Sequence, residues 1–527
     1  MPIYDRRRAR RSIFDTIAYR AASQVATVLG YIVLVRAMPK QDFGIFNLLY
    51  SFIPVVTTVA SLGLEQVLRR YQPEFIRAGR PNTAAWLFKF VSSARLISNV
   101  LILSVLLLVW NYIAPLFGLT AYRAMFGFFS VLILLFFQTY LLQLALAAHM
   151  LHRFSVGSVA LLSLTKLIVY AALAWRGLLS LRTAILADTL AYAVAFLFLR
   201  YVYRQRCLPD ADSKELVRPD AKERKRLISY GLLNNFNDAG TLFLDTRTDN
   251  FFIAAFIDPI SVGVYAFYTR LNEMANNLLP ARLFENVVQP MFFSLPRSEA
   301  QQRIPAYFTF LLNMNLVLQW PVLAFATAYH AELVRVLFGG KFIDHSWLLP
   351  LIVGLATVNI ISSPVTLVAQ YEEKAGIILF SKIFGICNVL AMIVLIPVAG
   401  LYGAALASGS SQAVKNLFIW WHVRKLAHWN NAVASLLSCL ALWGTTAALC
   451  IAINKVWTAP AVVRLMLGVV ICLAAAMVHV RGAAITGADR KLLASLFQGK
   501  EARLLRYTGL LRYSDSGKLA TDAPMTS

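Results

Sequence analysis

Lys166 and Arg270 sit deep inside long apolar runs of this chain, and Arg20, Arg95, Lys382 and Lys415 sit nearer the ends of theirs. A charge at the centre of a membrane helix costs about 2.5 to 3.5 kcal/mol unless it faces water or a partner. Each of these cations therefore needs a reason. Arg offers a planar fork for bidentate contact with phosphate, and Lys a mobile point charge, so the set suits the binding of a phosphorylated anion. The competing readings are local. Arg270 has Glu273 three residues on, Arg20, Arg95 and Lys382 are placed to snorkel to inner headgroups, and Arg36 is placed as an anchor at the end of its run.

Acids concentrate in one run, as Asp238, Asp245 and Asp249, with Arg247 between the last two. On a continuous helix Asp245 and Asp249 share a face and Arg247 points away. Pairing across to Arg270, Arg36 or Lys166 is then expected over a local bridge. A gating or structural pair is the first reading of these residues and proton or cation coupling the second, with Asp188 as a further coupling candidate. The seven histidines are scattered and the five cysteines show no paired spacing. Neither a metal-ligand cluster, a nucleotide loop nor a nucleophile with a partnered base is visible, so the sequence supports no enzyme, no cofactor and no direct use of ATP.

The elements that must hold these residues are membrane helices. Of the 527 residues 59% are hydrophobic and only 14% charged, with a mean hydropathy of +0.63, far from the soluble average of about 25% charged. Runs of the roughly 20 residues a bilayer requires are expected at 14–36, 43–64, 89–112, 124–147, 155–175 and 183–201. Further runs fall at 228–255, 262–286, 306–329, 347–370, 376–398 and 403–422, and a last pair at 432–454 and 461–481. The layout reads as an all-α integral membrane protein of about 14 spans. It has a basic N-terminus over 1–13, one lobe over 14–201, a charged link over 202–226, a second lobe over 227–422, two extra helices within 432–481 and a tail over 482–527.

An even number of spans puts both termini on one side. Roughly 33 of the 50 Lys and Arg fall in the termini and links on that side and about 7 on the other, so both ends are expected to be cytoplasmic. The net charge of +24 then reflects a face that meets anionic headgroups, and nucleic-acid binding is not expected. Residues 65–88 mix Glu65, Arg69, Arg70, Arg77 and Arg80 with Val67, Leu68, Tyr71, Phe75 and Ile76, the pattern of a short helix lying on the inner leaflet.

The chain also repeats itself. Pro39, Gly44, Ile45 and Phe46 recur as Pro259, Gly263, Val264 and Tyr265, 219 to 220 positions on. Ala184, Leu186, Ala187, Ala193, Val194, Leu197 and Phe198 recur as Ala404, Leu406, Ala407, Ala413, Val414, Leu417 and Phe418, each displaced by 220. A duplicated six-helix unit in a hydrophobic chain is a mark of secondary transporters.

On this layout RAMPKQDFGIFNL with SLGLEQVLRRYQPE, DTRTDNFFIAAFIDPISVGVYAFYTRL, VLFGGKF and GLYGAALASGSSQAV resemble the polysaccharide and O-antigen flippases of the multidrug, oligosaccharidyl-lipid and polysaccharide exporter superfamily. The resemblance implies two six-helix lobes in a V, related by a pseudo-twofold along the membrane normal, around a central cavity. It implies export of polyprenyl-diphosphate-linked oligosaccharide repeat units across the bacterial inner membrane for surface polysaccharides such as lipopolysaccharide or exopolysaccharide. A polysaccharide polymerase and chain-length machinery would be partners, and an H+ or Na+ gradient or the membrane potential drives some members. It makes Arg270 the first cavity cation, joined by Lys166, Arg20, Arg95, Lys382 and Lys415, and places an acid at Asp249. Gln24, Asn47, Gln138, Gln143, Asn234, Asn235, Asn237, Asn276 and Asn277 would join helices or meet sugar hydroxyls.

Three other readings fit less well. A lipid-linked peptidoglycan-precursor flippase shares the fold, but its characteristic stretch after the first hairpin is not found here. A drug or cation antiporter would be expected to have twelve spans and a less basic interior. A membrane glycan polymerase or ligase would need a large outer loop, and the links on that side are short.

Overall fold

A helix in lipid must satisfy every backbone group within itself, and the apolar runs among the described residues are helical for most of their length. The computed structural model describes residues 6–208, 216–242, 244–278, 297–428, 432–481 and 490. Residues 1–5, residues 209–215 of the charged link, the 482–527 tail apart from Arg490, and the side chains of residues 6–18 and of Asp238 lie outside what is described.

The described residues are helical, with no strand among them. In chain order they form α1 (Arg6–Ala37), α2 (Lys40–Tyr50), α3 (Phe52–Ser61), α4 (Leu64–Arg77), α5 (Pro81–Leu108), α6 (Trp110–Ile113), α7 (Arg123–Ala148), α8 (His152–Trp175), α9 (Leu181–Arg206), α10 (Ala221–Leu242), α11 (Thr246–Phe256) and α12 (Pro259–Leu278). Then come α13 (Arg297–Phe338), α14 (Leu348–Val358), α15 (Ser362–Tyr371), α16 (Ala375–Phe380), α17 (Phe384–Val423), α18 (Ala432–Val456) and α19 (Ala461–Arg481). The protein is an all-helical, multi-pass membrane protein.

Ten segments are long and apolar enough to cross a membrane by length and composition, against about fourteen expected. The expected spans 376–398 and 403–422 run together as one 49-residue segment, Ala375–Val423, interrupted by the 3-10 turn Ser381–Ile383 and at Gly400, where φ is 56° and ψ −133°. The expected spans 14–36, 228–255 and 262–286 are not among the ten. Residue 243 of the second and residues 279–286 of the third lie outside what is described; in the described parts α1 carries Arg20, Gln24 and Arg36, α10 carries Asn234 and Asn235, and α12 carries Arg270, Asn272, Glu273, Asn276 and Asn277.

The seventh expected span is also divided. The backbone leaves the helix before Asp245, whose side chain accepts from Arg247 N at 2.8 Å and so caps the start of α11. An Asp side chain competes for backbone N–H groups and favours this position over a helix interior. Asp245 and Asp249 therefore do not share the face of one continuous helix, which corrects the expected geometry.

The chain forms two compact units, residues 1–266 and 267–527. The first extends past the charged link because α10, α11 and the start of α12 pack on α2, α3 and α4. A Cβ on Gly44 would stand 2.0 Å from Pro259 O, and one on Gly263 3.0 Å from Gly44 Cα, so the repeat-related glycines lie against each other. Asn250 donates to Ser51 Oγ at 2.8 Å, and Phe52 meets Phe251 edge-on with ring centres 4.9 Å apart. At Gly63, where φ is +70°, a Cβ would stand 1.8 Å from Gly231 O. Bare glycine is what lets these backbones touch.

Elsewhere in the first unit α1 packs along α8 through small polar contacts, Ser23 to Ser163 at 3.0 Å and Thr27 to Ser163 at 3.1 Å. The α4 helix is short and amphipathic as expected, but its apolar side is taken by protein: Val67, Leu68, Tyr71 and Phe75 join a core with Ala84, Leu87, Val91, Leu141 and Leu227. In the second unit α18 and α19 pack on α13. Trp320 donates to His479 at 3.1 Å, and Asn454 to Glu332 at 2.7 Å.

Candidate functional site: charged side chains buried among the helices

Asp188, on α9, is 1% exposed. Three donors from two other elements converge on its carboxylate. Lys166 Nζ on α8 lies 2.9 Å from Oδ2, Tyr170 Oη, one helical turn further along α8, donates to Oδ1 at 2.5 Å, and Tyr50 Oη at the end of α2 donates to Oδ2. The Lys166 ammonium also stands 5.0 Å from the ring centre of Tyr192 on α9 and 5.9 Å from that of Tyr50, where the negative faces of the rings offset part of its desolvation.

Helix periodicity makes this cluster. Lys166 and Tyr170 are four apart on α8, Asp188 and Tyr192 four apart on α9, and such pairs share a face. That spacing was readable in the sequence, although the tyrosines were not singled out there; the crossing of α2 with α8 and α9 was not readable. The arrangement holds one carboxylate and one ammonium in a dry place, each satisfied by the other and by phenols. About a fifth of the Lys166 side chain is exposed, so the pair is reached through the lysine.

Arg95 makes a second buried pair. It is 0% exposed, with Nε 2.9 Å from Glu65 Oε1, Nη2 donating to Thr57 O at 3.2 Å and its guanidinium 4.3 Å from the centre of the Phe137 ring. Ser61 Oγ donates to the other oxygen of Glu65. Arg95 thus neither snorkels nor stands open to solvent. It braces the break between α3 and α4, where Leu62 and Gly63 both take positive φ, 50° and 70°. Glu65 is the partner that sequence reasoning did not find, because the two lie on different helices.

The other candidates are placed as follows. Arg270 pairs with Glu273 at 2.7 Å, both about 40% exposed, so the local pairing weighed as an alternative is present and accessible. Asp249 is buried on α11 and its Oδ2 accepts from Tyr265 Oη at 2.9 Å. Arg247 and Arg20 are exposed, and Asp245 is half-buried at its cap. Lys382 lies half-buried in the turn Ser381–Ile383 before α17. Lys415 lies half-buried on α17 beside the buried Asn416. Of the three partners expected for Asp245 and Asp249, Lys166 lies against Asp188 and Arg270 against Glu273, while Arg36 is exposed at the end of α1. Among the described residues no group of three or more His, Cys, Asp or Glu could hold a metal ion.

Comparison with known proteins adds to this geometry. The family profile described as Polysaccharide biosynthesis protein matches residues 33–347. A curated relative from Haloferax volcanii, named as the probable low-salt glycan biosynthesis flippase Agl15, is 20% identical over 390 residues, 74% of this chain and 78% of the relative. Among solved structures, the lipid II flippase MurJ in an inward closed conformation superposes with a TM-score of 0.66 at 12% identity, covering 88% of this chain and 99% of that one. A multidrug transporter of the MATE family in an inward-facing conformation gives 0.61 at 15% identity, covering 79% and 98%. The chain shares its fold with both of these structures over most of its length.

Proposed function

We propose that this chain, which belongs to the polysaccharide biosynthesis protein family, is a flippase that carries polyprenyl-diphosphate-linked oligosaccharide from the cytoplasmic to the outer leaflet of a bacterial inner membrane. The observation that carries the reading is the uneven polarity of its helices. Ten segments are apolar enough for lipid, while α1, the α10 and α11 pair, and α12 carry Arg20, Asn234, Asn235, Asp249, Arg270, Asn272, Glu273 and Asn276. Helices of that polarity need a wet side at membrane depth. They are also arms of the two repeated hairpins.

A wet, cation-bearing path suits a hydrated glycan and a diphosphate, while the prenyl tail stays in lipid. In this reading fourteen spans form two lobes that alternate access around that path, with both termini cytoplasmic and Arg270 meeting the diphosphate, its ion pair with Glu273 exchanged for phosphate. Asp249, Asp245 and Arg247 gate the path from α11 and its cap. The name of the Haloferax relative supports the substrate class.

Deletion of the protein should leave lipid-linked repeat units in the inner leaflet, inaccessible to a probe added outside. Units that reach the outer leaflet but stay unpolymerised would overturn the reading in favour of a polymerase or ligase. Arg270→Ala should lower flipping at least several-fold at unchanged protein level; unchanged flipping would remove Arg270 from the path.

A further inference from the structure

We propose that the contact between α4 and the first three turns of α10 is a salt-sensitive clasp, which holds shut the end of the transport path next to the charged link. The clasp gives way before the glycine contacts of the two hairpins at the other end. The existence of a path, and the cytoplasmic side of this end, rest on the flippase reading; the clasp and its order of opening rest on the contacts themselves.

The α10 and α11 helices open the second copy of the repeat, yet they run antiparallel along α2, α3 and α4 of the first. The partners fall in reverse order. Glu223 meets Arg80, Arg226 meets Glu74, Gly231 lies on Gly63, Asn250 on Ser51 and Pro259 on Gly44. The junction between these helices is thus closed from one end to the other. A glycan that passes along it needs the two ends to part in turn.

The end next to the link is held by charge. Arg80 donates to both carboxylate oxygens of Glu223, at 2.6 and 3.1 Å. Glu223 also closes a capping box with Asp220: Glu223 N donates to Asp220 Oδ1 at 2.6 Å, and Asp220 N to Glu223 Oε2 at 3.3 Å. Arg80 therefore holds α10 by its first turn. Three residues on, Arg226 lies 3.3 Å from Glu74, with its guanidinium 5.0 Å from the centre of the Tyr71 ring. Tyr71 meets Tyr230 edge-on with ring centres 5.4 Å apart, and Leu227 joins the apolar core of α4. The four ion-pairing side chains are between 28% and 56% exposed. This end is a small apolar patch ringed by ion pairs in water.

The other end is built from backbone and rings. Gly44 lies directly on the Pro259 carbonyl, and a Cβ on Gly118 would stand 3.1 Å from Pro259 Cγ. Phe251 packs against Phe52 and Phe117 with ring centres 4.9 and 5.1 Å away, and the hydrogen bond of Asn250 to Ser51 is buried. Contacts of this kind owe little to charge, so salt leaves them intact. Exposed ion pairs each contribute little and are screened, with a Debye length of about 10 Å at 0.1 M salt and about 3 Å at 1 M. Raising the salt therefore loosens one end of the junction and spares the other.

The test uses the full-length protein, purified and reconstituted in liposomes. Leu227 is 7% exposed beneath the ion pairs, and of the native cysteines Cys387 is exposed and the others are buried. Leu227→Cys with Cys387→Ser therefore reports opening by its rate of reaction with a water-soluble maleimide, measured against a small free thiol in the same buffer. That rate should rise at least threefold from about 50 mM to about 1 M NaCl. Arg80→Glu should raise it at least threefold at the lower salt, and adding Glu223→Arg should bring it back to within twofold of the starting value. Phe251→Cys, at the other end, should show no rise with salt; an equal rise there would overturn the order of opening. A rate at Leu227→Cys indifferent to salt and to charge reversal would overturn the clasp. For transport, Glu74→Cys with Arg226→Cys is bridged by a short bis-methanethiosulfonate reagent. The bridge should cut flipping of a fluorescent farnesyl-diphosphate-linked hexose at least tenfold, and dithiothreitol should restore it. Flipping undiminished by the bridge would overturn the inference and leave the flippase reading standing. Absence of flipping by the unmodified protein would overturn both. If Leu227→Cys does not fold, the bridge between the two solvent-accessible positions decides the matter alone.

Discussion

The two copies of the repeated unit solve one problem in different ways. In the first, position 188 is an aspartate held by a lysine and two tyrosines. At the matching position 220 residues on stands Ser408, whose hydroxyl reaches Asn388 Oδ1 at 3.4 Å. Nearby Asn416 donates to Asn359 Oδ1 at 2.9 Å, and Asn359 to Gly409 O at 3.0 Å. At this position a buried ion pair joins the helices of the first copy and uncharged groups join those of the second.

The largest expected effect that breaks this comparison is at the other charged pair of the first unit. Arg95→Met leaves Glu65 buried alone and should cost about 3 to 5 kcal/mol, read as a fall in melting temperature of the detergent-solubilised protein. Adding Glu65→Leu should recover most of that loss, because an apolar pair replaces a charged one. A double variant no more stable than the single one would show that Glu65 is not the partner that matters.

The hairpin glycines sharpen the comparison between copies. A Cβ at Gly44 meets the Pro259 carbonyl, which cannot move alone, while one at Gly263 is in contact only at 3.0 Å. Gly44→Ala should therefore destabilise by about 1 to 3 kcal/mol and more than Gly263→Ala, measured by the same melting assay. Equal effects would mean that the two backbones part easily.

Asn416→Ala tests the neutral side. It leaves Asn359 short of a donor and should cost about 1 to 2 kcal/mol, with the loss unchanged between mildly acid and mildly alkaline buffer. A strong pH dependence of that loss would remove the distinction drawn between the copies.

The smallest effect is expected at the link. Arg80 donates to both oxygens of Glu223, at 2.6 and 3.1 Å, and this hydrogen bonding holds the Glu223 carboxyl below its ordinary range. A depressed acid contributes stability above its unfolded pKa of about 4.3, and the contribution is lost as pH falls through the lower folded value. The pair is well solvated, so Glu223→Gln should change stability by less than about 0.5 kcal/mol at neutral pH, and the difference should vanish in acid.

Much of the architecture was legible in the residues themselves. The apolar runs gave the helical membrane class because hydropathy is additive along a helix. The Pro39 and Pro259 hairpins marked the repeat because proline and glycine constrain backbone wherever they stand. The greater polarity of α1, α10 and α12 was not read from the residues, where all three stand among the expected spans. The break before α11 was missed because periodicity assumes a continuous helix, and one side-chain cap at Asp245 was enough to end it.

Ionisable residues placed in the membrane interior were named from sequence, since burial of charge is a property of the residue and its neighbours in the chain. Which partner each one chose was decided only by tertiary structure: Lys166 and Asp188 are 22 positions apart, Arg95 and Glu65 30, Tyr50 and Asp188 138. Those pairings depend on how helices cross, and crossing is set by packing of small residues and glycines at a few contact points. Coulomb attraction then acts over a few ångströms, so it can select a partner only after packing has brought the helices together.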